Sequence, residues 1–235
     1  WKNGRLVAEN GIVAERIVPS VVSPLPGIAK KTVTPTADEL RVPIPCGASK
    51  MNVIGVVPGQ VSTKTLLFEP KNEGGYASAD AERGIAKFAV VEKNRGTGRT
   101  AVGFLKDFGL VRGAVASSIA HDAHNFSCAG MDDISMATAL KALADMGGGI
   151  VVADGEKVLA SLELPVGGLM SLLPLEELRG KIHPLSEARD ALGCTNSHAF
   201  MQLAFLSLSV IPELKLTDQG YCDILSGAVP LFVKD

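Results

Sequence analysis

Apolar residues recur along this chain in short runs that carry the period of strands. Residues 52–57, 65–68, 87–91 and 100–105 are rich in β-branched and aromatic side chains, the composition that suits a pleated, half-buried surface. Turn residues separate these runs, and Asn94-Arg95-Gly96-Thr97-Gly98 predicts a hairpin between the last two. Two further apolar runs, 113–120 and 125–129, flank a polar stretch. Near the N-terminus, residues 2–15 predict another hairpin: Arg5-Leu6-Val7-Ala8 runs out, Glu9-Asn10-Gly11 turns, and Ile12-Val13-Ala14 returns. Such a piece is not stable by itself. Pro19, Pro24, Pro26 and Pro35 then punctuate a segment without sustained period, which reads as a linker over a surface. Residues 1–38 are thus expected to be hairpin and linker, and 39–235 the main domain.

Helical spacing enters later. Asp132 or Asp133 can cap a helix in which Ile134, Ala137, Leu140, Leu143 and Ala144 recur on one face, and Gly147-Gly148-Gly149 ends it. A strand pair, 149–153 and 157–164, is predicted around an Asp154-Gly155 turn. Residues 175–192 predict a charged helix that Gly180 and Pro184 should break into two. Residues 200–208 form a last apolar segment, helical or buried. Strands followed by helices, with no repeat, predict an α+β fold: a mixed, largely antiparallel sheet with helices packed on it, preceded by the hairpin.

Composition narrows the partners. With 235 residues and 46% hydrophobic content the chain can bury a core of its own. Its 23 basic and 25 acidic side chains leave a net charge of only −2, so neither nucleic acid nor a membrane surface is an expected partner. No apolar run approaches the roughly 20 residues a spanning helix needs. The start at Trp1-Lys2-Asn3-Gly4-Arg5 has neither Met nor a signal-peptide core, and reads as an internal start. Cys46, Cys128, Cys194 and Cys222 form no CxxC pair and suggest reduced thiols in the cytoplasm, although an even count leaves a disulfide open.

The densest chemistry is Ser117-Ser118-Ile119-Ala120-His121-Asp122-Ala123-His124-Asn125, which holds two of the four histidines. Imidazole can shuttle protons near neutral pH, and Asp122 is placed to orient one ring. The bland reading is a hydrogen-bonded knot that satisfies a turn. As a metal site the cluster offers at most three ligands and lacks HxH or HExxH spacing, so no metal ligand is expected in it. Gly147-Gly148-Gly149 follows a helix, so a C-terminal cap is favoured over a phosphate cradle. The adjacent Gly167 and Gly168 permit either close approach of a ligand or a tight turn. Lys87, Lys93, Arg95 and Arg99 read as a solvated basic loop. His183 and His198 read as surface or capping residues.

These motifs resemble those of the adenine deaminases of the amidohydrolase superfamily, in the region after their catalytic barrel. Residues 119–125 resemble [IV]-[AS]-H-D-S-H-N, and Gly147-Gly148-Gly149 resembles the family's GGG after a helix. Residues 164–171 are similar to LPIAGLMS, and 205–220 to FLSLPVIPxLKLTxxGL. Order and spacing agree over about 85–223. Ala123, Gly167 and Ser209 depart from the pattern, standing where Ser, Ala and Pro are usual.

The resemblance implies a hydrolase of purine metabolism that converts adenine and water to hypoxanthine and ammonia. It implies a binuclear Mn or Fe centre on barrel ligands that have no counterpart here, so the chain alone is expected to be inactive and metal-free. The hairpin at 2–15 is similar to strands of the family's small β-sandwich. His121, Asp122 and His124 are then the candidate substrate-facing or supporting catalytic residues, and Asn125, Ser118, Gly168 and Met170 the candidate substrate contacts. The implied partners are adenine, the barrel of the same enzyme and further copies of the protein. Two alternatives stand beside this: a purely structural or oligomerisation domain, and a purine-binding module without catalysis.

Overall fold

The computed structural model describes residues 1–13 and 32–234. Ala14, Glu15, Pro19, Pro24 and Pro26, and with them most of the expected linker, lie outside the described residues. Ala8–Glu9 (β1) pairs with Ile12–Val13 (β2) across Asn10 and Gly11, both at positive φ, the type I′ turn that suits a two-residue hairpin.

The main domain opens with Val42–Pro43 (β3), Ala48–Val56 (β4), Thr63–Phe68 (β5), Lys71–Glu73 (β6), Tyr76–Ser78 (β7), Ile85–Val91 (β8) and Thr100–Lys106 (β9). Ala114–Ser117 (β10) and Phe126–Gly130 (β11) follow, then helix Asp133–Asp145 (α1), Gly149–Asp154 (β12) and Lys157–Glu163 (β13). The C-terminal part holds helices Leu175–Ala191 (α2) and Ala199–Leu203 (α3), strands Leu214–Thr217 (β14), Gly220–Asp223 (β15) and Gly227–Ala228 (β16), and Phe232–Lys234 (β17). A nine-stranded sheet runs β13-β12-β10-β11-β8-β9-β4-β17, with β5 also on β4. Its described pairings are antiparallel except β4 with β9. The expected α+β class, largely antiparallel, is what is found.

Alternate residues of the central strands feed two cores. On one face Ala89, Ala114, Ala116, Cys128 and Ala153 lie with Val91, Phe126 and Val151, and α1 packs Met136, Ala139, Leu140 and Leu143 against them. On the other, Phe88, Val90, Val115, Ala129 and Val152 pack beneath α2, α3 and the small β14-β15-β16 sheet. That small sheet docks through Tyr221, whose hydroxyl accepts from Phe104 N–H at 2.6 Å and whose ring lies against Gly103; a Cβ there would stand 2.5 Å from the ring.

Three expectations are corrected. Ile134 is exposed, because Asp132 is the N-cap and accepts from Ser135 N–H at 2.7 Å, which turns Met136 rather than Ile134 onto the sheet. Helix α2 runs unbroken through Pro184. The proline ring and its missing N–H act on the carbonyl four residues back. That residue is Gly180, exposed and without a side chain, so the freed carbonyl faces water while Leu185 and Arg189 anchor the second half. The basic cluster is no solvated loop: Lys87 is buried in β8 and donates to Leu40 C=O at 2.7 Å and to Asp133, and Arg99 pairs with Asp218. Of the four, Arg95 and Arg99 are exposed, Arg99 while paired with Asp218.

Lys215 in β14 is wholly buried and donates to Val61 C=O at 2.7 Å. Burial pulls its pKa down to about 8. The folded state therefore carries a charging penalty below that pH, relieved as pH rises towards the ordinary lysine range. Urea unfolding should show the stability of Lys215→Met relative to wild type falling by roughly 2 kcal/mol between pH 8 and pH 10.5. Taking the difference between the two proteins cancels the opposite contribution of the buried thiols.

Candidate functional site

The 118–125 loop leaves the sheet where β10 ends, and its root is locked. Ser118 is fully buried: its hydroxyl accepts from Gly149 N–H at 2.7 Å and donates to Gly168 C=O. Gly148 sits at φ +125°, and a Cβ there would lie 2.5 Å from Gly168 Cα and 2.8 Å from Ser118 Oγ, so this position requires glycine. Lys93 donates from Nζ to Gly167 C=O, and burial lowers its pKa. The GGG segment that caps α1, the 167–168 turn and the loop root are one braced unit.

The loop tip is different. His121 N–H donates to Ala204 C=O at 2.9 Å, and its half-exposed ring stacks on Phe205 with centroids 4.7 Å apart. Asp122 is exposed and its carboxylate stands 4.0 Å from His121 Nδ1, too far for the orienting hydrogen bond expected of it. His124 is exposed at φ +52°, a left-handed conformation tolerated by His better than by most residues. Among the described residues none of these three side chains has a hydrogen-bond partner.

Asn125 returns the chain to the interior. It accepts from Lys93 N–H at 3.3 Å and donates to Asp218 Oδ1 at 3.2 Å, while the other Asp218 oxygen takes the Arg99 guanidinium at 2.5 Å. Asn94 adds a bond from its amide to Ala123 C=O at 2.7 Å. Beneath this loop Glu92 is 4% exposed. Burial alone would raise its pKa, but the N–H groups of Arg95 and Thr97 and the Thr97 hydroxyl, all donating to it, hold it down at about 2. Asp218 and Glu92 were not singled out from sequence, and Arg99 and Asn94 were read only as parts of a basic loop and a hairpin turn. The one signal was Asp218's place in the 205–220 motif.

Two cavities border the loop. A polar cleft of about 370 Å³ lies between Asp122, Ala123 and Asn125 on one side and residues 207–210 and 217–219 on the other. An apolar groove of about 680 Å³ runs between the 164–171 turn, α2 and α3, with Ile119, Met170, Phe200 and Met201 in its walls. The structure thus brings Ser118 to Gly168 and Asp122 to Asn125, and puts Met170 in the other cavity. Among the described residues no three His, Cys, Asp or Glu side chains converge as metal ligands, so the His121-Asp122-His124 set does not fit a metal.

A family model described as the adenine deaminase C-terminal domain matches residues 60–227. The chain is 42% identical to an adenine deaminase of Desulfatibacillum aliphaticivorans over 99% of its own length and 40% of that protein. It is 45% identical to one of Methylobacterium nodulans over 86% of the chain and 36% of the relative. Against adenine deaminase 2 of Carboxydothermus hydrogenoformans it is 42% identical over 97% and 40%. The chain spans about two fifths of the length of these relatives.

Two outcomes are expected of the brace. Arg99→Ala leaves a buried carboxylate with one amide partner and should cost about 1–3 kcal/mol in denaturant unfolding. For Glu92, a depressed folded pKa means stability present above the ordinary glutamate range and lost as pH falls through about 2. Acid titration should show Glu92→Gln with a flatter stability profile than wild type between about pH 5 and pH 2.

Proposed function

We propose a role that proceeds from one premise: the chain belongs to the adenine deaminase family and carries its C-terminal domain. In this reading it is the non-barrel part of an enzyme that hydrolyses adenine to hypoxanthine and ammonia, and its 118–125 loop faces the catalytic body supplied by the rest of the protein. The divalent metal that family membership implies, manganese or iron, belongs to that body in this reading, which is supported by the lack of converging donors among the described residues. The observation that carries the reading is the contrast within the loop. Its root is fully braced, yet it presents His121, Asp122 and His124 without internal partners. Ionisable groups held on a rigid base and left uncommitted suit a second surface that completes them.

The chain's own residues divide the work. His121, flat against Phe205, and His124 offer nitrogens that can donate or accept a proton at the edge of an incoming purine, and Asp122 adds an acceptor. Asn125 fixes the loop's return, Ser118 and Gly168 fix its root, and Met170 lends an apolar wall to the neighbouring groove. The β1-β2 hairpin serves as part of a small β-sandwich shared with the rest of the protein, a role supported by Ile12 and Val13, exposed at 73% and 57%. A cytoplasmic location is supported by the four free thiols, and no helix among the described residues is long and apolar enough to cross a membrane. A second reading, a domain that holds copies of the enzyme together, draws on the exposed Met170 and Met201.

His121→Ala and His124→Asn in the complete enzyme that carries this chain separate the two. The deaminase reading expects kcat/KM for adenine to fall at least about tenfold with metal content and Tm unchanged. Wild-type turnover in both variants, with altered sedimentation or Tm, would sink it in favour of the assembly role.

A further inference from the structure

We propose that Asp218 is a positioning residue: it fixes the orientation of the Asn125 amide and, through it, the place of the 118–125 loop. Residues far apart in sequence form one polar chain. Arg99, just before β9, gives its guanidinium to Asp218 Oδ2 at 2.5 Å, and Asp218 Oδ1 accepts from Asn125 Nδ2 at 3.2 Å. Asn125 Oδ1 then accepts from Lys93 N–H at 3.3 Å. Only one arrangement satisfies this chain. A guanidinium and a backbone N–H only donate, and an ionised carboxylate only accepts. Asn125 lies between an acceptor and a donor, so its amide must turn nitrogen to Asp218 and oxygen to Lys93. Turned over, it would oppose donor to donor and acceptor to acceptor among groups that are buried.

The same chain joins the two ends of the loop. Lys93 holds Asn125 with its backbone N–H and the 167–168 turn with its ammonium, and Gly168 C=O accepts from Ser118 at the root. Asp218 is fixed from its own side. It stands in the turn between β14 and β15, where Thr217 Oγ1 accepts from Gln219 N–H and donates to Gly220 C=O, and Tyr221 docks the hairpin on Phe104. An acceptor held in this way sets the Asn125 amide rather than being set by it. Asn125, a substrate contact by resemblance, would then act through the loop and not on a purine. The positioning role rests on these contacts alone; its effect on turnover rests on the deaminase reading above.

Exchanging the two side chains tests the proposal. Asp218→Asn must turn its oxygen to Arg99, which leaves its nitrogen facing the Asn125 nitrogen, and Asn125→Asp sets two carboxylates face to face. The double variant Asn125→Asp/Asp218→Asn restores the pattern: the carboxylate at position 125 accepts from Lys93 N–H and from the amide at position 218, whose oxygen takes Arg99. In the complete enzyme that carries this chain, hydrogen–deuterium exchange of segment 118–125 should quicken about tenfold or more in each single variant and return to within about threefold of wild type in the double. The change should be confined to the loop, with β10 and β11 exchanging as in wild type. The kcat for adenine should follow the same pattern, falling about tenfold or more in each single variant at unchanged metal content and recovering in the double. Wild-type exchange in both single variants, quickening that spreads through β10 and β11, or a double variant no better than the worse single one would each overturn the proposal. If a single variant does not fold, the double decides: folded with wild-type loop exchange it upholds the role, and unfolded or loose in the loop it overturns it. Exchange that follows the pattern with normal turnover throughout keeps the positioning role and removes the loop from catalysis. Wild-type exchange in the single variants with slowed turnover in His121→Ala and His124→Asn removes the positioning role alone.

Discussion

Every residue of β8, β10 and β11 is buried, because the central sheet carries a packed layer on each face. A strand in that position cannot alternate apolar with polar; it must be apolar throughout or answer each polar atom internally. Lys87 shows what the exception demands, a carbonyl from Leu40 and a carboxylate from Asp133 brought to one ammonium in mid-strand. Polar chemistry is otherwise displaced to strand ends, apart from the Ser127 hydroxyl, buried in β11 without a hydrogen-bond partner among the described residues. The 118–125 loop follows the end of β10, and Glu92 lies one residue past the end of β8, so both polar clusters sit where the two-sided burial stops. Side chains on the two faces are matched to their cover: α1 packs on Ala89, Ala114, Ala116, Cys128 and Ala153 with Val91, Phe126 and Val151 beside them, and the opposite face presents Phe88 and Val90 to helices and a small sheet.

Around the loop, rigidity and availability are separated by a few residues. Ser118 spends its hydroxyl on Gly149 and Gly168, and Asn125 spends its amide on Lys93 and Asp218. Between these two fixed points the chain is short, so His121, Asp122 and His124 project from a defined place although no hydrogen bond among the described residues holds their side chains and only His121 has a stacking partner. Ordering the backbone beforehand lowers the entropy that a partner surface would otherwise have to overcome.

Much of this was legible in the sequence. Strands with β-branched runs and turn punctuation, the α1 cap and the terminating glycines follow from local chemistry, and so does the position of the loop after an apolar strand. The parts that were not legible depend on contacts distant along the chain. Asn125 meets Asp218 across 93 residues, and no local pattern announces that pair or the role of Arg99 in neutralising it. Lys87 and Arg99 looked like neighbours in a wet basic loop because their partners, Asp133 and Asp218, are far along the chain. Pro184 signalled a break that Gly180 relieves, a compensation between two residues each of which alone predicts disruption. Short strands of low propensity such as β6 and β16 are held by their partners.

The two cavities are not independent features. Ile119 belongs to the apolar groove and Asp122 to the polar cleft, so the loop itself is the partition between them. The facing segment repeats the arrangement: Phe200 and Met201 stand in the groove, while residues 207–210 stand in the cleft. Where the two segments pass, His121 N–H bonds to Ala204 C=O and the His121 ring stacks on Phe205. That contact joins the two segments where they pass, so the groove and the cleft share the same pair of walls.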